Sequence, residues 1–228
     1  MIEIKKIFGW NAKAFYVPFK AALNDHPILE GAEILEIGAG SFSSVALYFA
    51  NSNCKLNITT YPTEHLPGLE NLVIDFINKK KEMPNIFCMS VKDVVGTYDL
   101  IIMKSVLGGI FRTDSSSKEN VEPLILEIVS NNLKPGGVLI TIDNGATILE
   151  KLFSKFGARA NQWRFFLPDD FKKNTKQYHF GFFTNFSFVT RFGKFGEIIE
   201  DFVFFIDCLV YKAFKISRPS VIVTVYKR

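Results

Sequence analysis

The feature that most constrains this chain is the run Glu33-Ile-Leu-Glu-Ile-Gly-Ala-Gly40, a short apolar stretch that ends in a glycine turn and leads into an apolar helical pattern. A strand that stops on Gly-x-Gly and turns straight into a helix opens a βαβ unit, because parallel strands can be joined only by a crossover. The rest of the chain repeats the alternation. The spacing predicts helices over residues 11–23 (with Pro18 expected to kink or shorten it), 42–50, 68–81 and 121–133, and strands over 55–60, 86–90, 98–103 and 138–142. A polar loop with three consecutive serines covers 111–120, and Lys134-Pro-Gly-Gly137 turns into the fifth strand. Beyond it, 186–191 alternates like a sixth strand, 197–215 reads as a long helix and 221–226 as a β-branched last strand. The expected fold is a single α/β domain with a doubly wound sheet of about seven strands, mostly parallel with an antiparallel C-terminal strand. Residues 1–30 would form a helical cap, and 158–185 an aromatic and basic insertion.

Composition narrows the class. Of 228 residues 48% are apolar and 22% charged, which suits one globular unit and excludes disordered or low-complexity chains. Cys54, Cys88 and Cys208 are odd in number and widely spaced, so neither a disulfide framework nor a zinc site is expected. Charges at Glu3, Lys5 and Lys6 leave no apolar leader at the start, and Asp207 and Lys212 interrupt the greasiest stretch, 202–214. The expectation is a soluble cytoplasmic protein with no membrane partner. Charge is uneven: residues 151–194 hold nine Lys or Arg against Asp169 and Asp170, a net +7, whereas the whole chain is +4. The same segment carries 13 aromatics, so a basic and aromatic patch sits on a faintly acidic body.

The glycine turn places backbone N–H groups where a polar ligand can approach without a Cβ in the way. A dinucleotide fingerprint would add an acid at the end of the second strand, where this chain has Thr59-Thr60-Tyr61, so a nicotinamide enzyme fits poorly. Three segments together, Ile34-Leu-Glu-Ile-Gly-Ala-Gly40, Tyr98-Asp-Leu-Ile-Ile102 and Leu133-Lys-Pro-Gly-Gly137, resemble the signatures of class I S-adenosylmethionine-dependent methyltransferases, a Rossmann-like family. The resemblance covers about residues 33–144. It implies S-adenosyl-L-methionine as cofactor, with Gly38, Ala39 and Gly40 under its methionine part, Glu36 orienting its amino group, Thr60 and Tyr61 near the ribose, Ser90 and Val91 beside the adenine, and Lys104 at the end of the fourth strand. This chain departs from the family pattern at Phe42, which stands for a third glycine, and lacks the usual acids near Thr60 or Tyr61 and near Ser90; Glu64 and Asp93 are candidates to reach in from neighbouring loops.

Asp143-Asn144, after the fifth strand, is similar to the metal-binding pair of catechol-type methyltransferases, but Lys104 stands where a third ligand belongs and repels a dication, so no metal is expected. A sulfonium methyl is already electrophilic; the protein must align a nucleophile and, for a hydroxyl, remove its proton. His179 is the favoured base among His26, His65 and His179, with Lys104 and Asp143 as further catalytic candidates. Trp163, Arg164, Lys176 and Tyr178 are the substrate-binding candidates, and their charge points to a small anionic acceptor, phosphorylated or nucleotide-linked, with O-methylation favoured. A nucleic-acid acceptor is disfavoured, because Lys104-Ser-Val-Leu107 is not the Asn/Asp-Pro-Pro-aromatic motif of adenine-amine methyltransferases. The alternatives are a catalytically silent scaffold that keeps the fold, and an RNA methyltransferase. The helix at 197–215 is apolar on two faces, one expected on the sheet (Ile199, Phe202, Val203, Ile206, Leu209, Val210, Ala213) and one (Ile198, Phe204, Phe205, Cys208, Tyr211) in a homodimer.

Overall fold

A computed structural model describes residues 4–9, 11–77, 83–111, 121–147, 164–172, 175–182, 189–213 and 217–228, with side chains over 198–211 of the last helix. Seven strands form one sheet: β1 (Glu33–Ile37), β2 (Lys55–Thr60), β3 (Asn85–Cys88), β4 (Tyr98–Lys104), β5 (Leu133–Asn144), β6 (Lys176–Phe180) and β7 (Val221–Lys227). Their order is β3-β2-β1-β4-β5-β7-β6. β3 to β5 run parallel, and β7 is antiparallel to both β5 and β6. The chain winds outward from β1 to β3 and then returns to start β4 on the other side of β1. That reversal leaves a crevice at the carboxyl ends of β1 and β4, where ligands bind in open parallel sheets.

The central strands are buried on both faces, which is why they read as nearly unbroken apolar runs. Ile34, Ile58, Leu100, Ile102, Ile140 and Ile142 face α1 (Ile4–Phe8), α2 (Ala12–Asp25) and a 3₁₀ turn, Val45–Phe49. Leu35, Ile37, Ile101, Met103 and Leu139 face the other way, under α4 (Val106–Ile110), α5 (Glu122–Asn132), Phe166 and Phe171. α3 (Leu66–Ile77) follows β2. Pro18 neither ends nor shortens α2, because Ala14, Phe15, Pro18, Phe19 and Ala22 are all buried and packing holds the turn together.

Three expectations are corrected. The helix over 42–50 is only the short 3₁₀ turn Val45–Phe49, because the Glu36 carboxylate takes the first amides of that turn. The sixth strand is not 186–191. Residues 186–188 lie outside the described set, Val189 opens a helix, α6 (Val189–Ala213), and the strand is Lys176–Phe180, whose Lys-Gln-Tyr-His-Phe alternates as an edge strand should. So the C-terminal part of the supposed insertion belongs to the sheet. The third concerns α6, which begins eight residues earlier than expected and turns a different face inward. Phe204 and Cys208 pack on the core, and Asp207 is fully buried and accepts a 2.7 Å hydrogen bond from the Phe182 amide. Ile198, Phe202, Phe205 and Leu209 are left at least half exposed. The helix is apolar around most of its circumference, so periodicity alone did not select the buried face, and the buried Asp207 marks it.

Candidate functional site

The crevice is built on the turn after β1. Gly38 has φ +76°, which favours glycine, and its amide donates to Thr59 Oγ1 at 3.2 Å. The Ala39 amide donates to the Thr59 carbonyl at 2.8 Å, the Thr60 hydroxyl donates to the Ala39 carbonyl at 2.8 Å, and the Gly40 amide donates to the Ser43 carbonyl at 3.2 Å. The turn is therefore laced to the end of β2. A Cβ on Gly40 would meet nothing within 4 Å, so the turn leaves open space there. Ser41 Oγ and His65 Nδ1 are 2.6 Å apart, tying the same loop to the segment that follows β2.

Glu36, 1% exposed, receives the Ser44 hydroxyl at 2.5 Å and the Val45 and Ala46 amides at 2.9 Å each. Burial pushes its carboxyl above the usual range against these hydrogen bonds. In this geometry Glu36 caps the 3₁₀ turn from the position where the cofactor-orienting acid is expected. Thr60 is buried with its hydroxyl engaged, while Tyr61 is exposed at the end of β2. Ser90 accepts a long 3.5 Å bond from the Lys92 amide, and Val91 packs on the core below it; both follow the end of β3.

Lys104, the last residue of β4, pairs in register with Ile142 and shares a sheet face with Glu36 and Phe15. Its ammonium lies 5.6 Å from the centroid of the Phe15 ring. Burial lowers its pKa, opposed by attraction from Glu36 and Asp143. Ser105, next in the chain, has φ +59° and donates its amide to the Ile142 carbonyl at 2.7 Å. Asp143 lies on the opposite face of β5, 1% exposed, with neither carboxylate oxygen hydrogen-bonded. Burial pushes its pKa up to about 8; Thr141 and Lys104 pull the other way, Thr141 without reaching hydrogen-bond geometry. Asn144 Oδ1 and Ser105 Oγ are likewise buried without a partner.

The remaining candidates are dispersed. Strand alternation puts Tyr178 and Lys176 on the α2 face of β6, where both donate to Asp25 Oδ2 at 2.6 Å. His179 points to the other face, its Nε2 3.0 Å from Gln177 Oε1, and burial lowers its pKa. β6 stands three strand spacings from β4, about 14 Å. His179 therefore does not meet Lys104 in one pocket, nor does it share a face with Tyr178. Arg164 does come to the crevice end: its amide donates to the Gly108 carbonyl at 3.0 Å, its guanidinium lies 3.4 Å from Asp170, and residues 144–146 pair with Phe166 beyond the end of β5. Trp163 lies outside the described residues. An open cleft of about 730 Å³, lined by Leu23, Tyr48, Phe49, Leu56 and Met83, sits at the amino end of β2, away from this crevice. Among the described residues no cluster of three or more His, Cys, Asp or Glu could hold a metal ion, and no helix is long and apolar enough to cross a membrane.

This strand order, with its reversed seventh strand and a glycine turn at the switch point, is the fold of class I S-adenosylmethionine-dependent methyltransferases. Solved structures share it. A coclaurine N-methyltransferase bound to N-methylheliamine and SAH superposes with a TM-score of 0.61 at 12% identity, covering 100% of this chain and 81% of that one. A methyltransferase from Methanosarcina mazei gives 0.54 at 15% identity, covering 90% and 96%. Phosphoethanolamine N-methyltransferase 2 of Haemonchus contortus, in complex with S-adenosyl-L-methionine, gives 0.57 at 11% identity; the match covers 92% of this chain and only about half, 52%, of that enzyme. No protein-family profile and no curated protein matches the sequence.

Proposed function

We propose that this protein is an S-adenosylmethionine-dependent methyltransferase of a small anionic metabolite, with O-methylation favoured over N-methylation and no divalent metal in the reaction. The observation that carries the reading is the open space over Gly40 at the switch point between β1 and β4. When bound, the cofactor supplies an electrophilic methyl group. The residues of this chain align it and the acceptor: the Gly38–Gly40 turn holds the backbone close, Tyr61, Ser90 and Val91 border the nucleoside, and Lys104 and Arg164 stand at the acceptor end. With His179 on the edge strand, an acceptor oxygen that is already ionised suits the crevice, since it needs no base. Nucleic acid is a poorer acceptor, because Lys176 and Lys172 are paired with Asp25 and Glu122. A homodimer through the exposed stripe of α6 completes the reading.

A second reading, a silent relative that keeps the fold, is favoured by the engagement of Glu36 and Thr60 within the protein. Calorimetric titration with S-adenosylhomocysteine tests the first reading. Binding to the wild type that Gly40→Val removes, without loss of melting temperature, supports it, and absence of binding to the wild type leaves the scaffold reading.

A further inference from the structure

We propose that Lys104 is an anion receptor in the floor of the crevice, completed by a carboxylate or phosphate group of a ligand. The lysine ends β4 at the switch point, only part-exposed, with its ammonium over the Phe15 ring. The ring face attracts a cation but accepts no strong hydrogen bond. Among the described residues the ammonium makes no hydrogen bond and no ion pair, although the carboxyls of Glu36 and Asp143 attract it from farther away. Neither can close on it. Glu36 is fastened by Ser44, Val45 and Ala46, and Asp143 alternates onto the other face of the sheet. A cation partly withdrawn from water and without a hydrogen-bonded partner carries a cost. The adjacent Ser105, in the left-handed region, also keeps a buried hydroxyl without a partner.

An oxyanion against Lys104 would receive up to three N–H donors from one ammonium and remove that cost. Among the described residues, two basic side chains of the segment once expected to hold the anion are engaged elsewhere: Lys172 meets Glu122 and Lys176 meets Asp25. The inference rests on the methyltransferase reading, in which two ligands can bring such a group: the cofactor through its methionyl carboxylate, and the acceptor through its acidic group.

The test titrates wild type, Lys104→Met and Lys104→Arg with S-adenosylhomocysteine, decarboxylated S-adenosylhomocysteine and inorganic pyrophosphate by calorimetry, with thermal melts of each protein. The expected result is a roughly tenfold or greater loss of affinity for one anionic probe in Lys104→Met, largely retained in Lys104→Arg because the charge remains. If S-adenosylhomocysteine weakens while its decarboxylated form does not, the cofactor supplies the anion. If pyrophosphate alone weakens, the acceptor does. Equal affinities in wild type and Lys104→Met overturn the receptor, and so does a uniform loss for all three probes with a lowered melting temperature, the signature of a purely structural lysine. Lys104-dependent pyrophosphate binding with no binding of either adenosyl ligand would sink the methyltransferase reading and keep the receptor; no binding of any probe by the wild type would sink both.

Discussion

Gly38 stands directly under Val106: a Cβ on Gly38 would lie 2.6 Å from Val106 Cγ2. With φ +76° this glycine is required twice over, by its backbone and by the close approach of α4. Gly38→Val should therefore act on the fold before it acts on any ligand, lowering unfolding free energy by roughly 2–4 kcal/mol. Gly40→Val, which enters open space, should leave the denaturation midpoint close to wild type and abolish adenosyl-ligand binding. Urea titrations beside calorimetry separate the two. Equal destabilisation by both variants would mean that the Gly40 space is not available to a ligand.

Glu36 sets the start of the 3₁₀ turn and so the shape of the glycine loop above it. Glu36→Ala leaves two amides and the Ser44 hydroxyl without their buried acceptor, and should cost on the order of 2–4 kcal/mol. Ser44→Ala removes only one donor and should cost about 1 kcal/mol. Both are read in urea unfolding; a Glu36→Ala protein as stable as wild type that loses only ligand affinity would assign Glu36 to the ligand rather than to the turn.

Much of the fold was legible because central parallel strands leave continuous apolar runs. Lys55–Thr60 and Tyr98–Lys104 fall within a residue of expectation, and Gly38–Gly40 lies at the turn expected of it. The site was less legible. Which carboxylate also caps a turn depends on amides that no spacing reveals, so the bonds from Val45 and Ala46 to Glu36 could not be read from the sequence. His179 and Tyr178 are neighbours in sequence and opposite in space, because the segment that holds them is a strand. Charge counting over 151–194 likewise missed that Lys176 finds Asp25, 151 residues away.

Asp143 gives the fold a pH dependence of definite sign. Its carboxyl ionises near 3.8 when solvated and is pushed up to about 8 by burial in the native protein. Between those values the native state holds a proton that the unfolded state has lost, so stability falls as pH rises through the window and levels off above about 8. Lys104 and Thr141 temper the effect, and Tyr226, the other titratable group it faces, stays neutral across this window because burial raises its own pKa. Asp143→Asn should flatten the slope and stabilise the protein at pH 8 by on the order of a few kcal/mol. Urea unfolding at pH 5 and pH 8 measures it; an unchanged slope in the variant would show that the ionised form is tolerated.

Lys176 and Arg164 should part company. Lys176→Met breaks an exposed contact between β6 and the end of α2 and should leave pyrophosphate affinity as in wild type. Arg164→Met removes a guanidinium that is mostly buried beside the carboxyl end of β5, and should weaken pyrophosphate binding several-fold. Calorimetry with the two variants decides it, and loss in Lys176→Met alone would move the anion site to the α2 face.

The exposed side of α6 supplies the last prediction. Ile198, Phe202, Phe205 and Leu209 recur at intervals of four, three and four residues, the spacing of a helix–helix seam, and each is at least half exposed. Ile199, Val203, Ile206 and Val210 repeat the same spacing one residue on and are partly buried, so the apolar face is broad. Two copies set face to face by a twofold axis would cover roughly 1,000 Å² in all, about the lower limit for a specific interface, so a dimer of moderate affinity is expected. Glu200 and Asp201 flank the stripe, and Lys13 of α2 pairs with Asp201 at 2.6 Å, which leaves the rim of the stripe polar. Light scattering at tens of micromolar, a concentration on the order of a moderate-affinity Kd, should give the mass of a dimer for the wild type and of a monomer for Phe202→Glu/Phe205→Glu, with an unchanged circular dichroism spectrum because neither ring is in the core. A wild type that stays monomeric at that concentration would remove the dimer from the proposal.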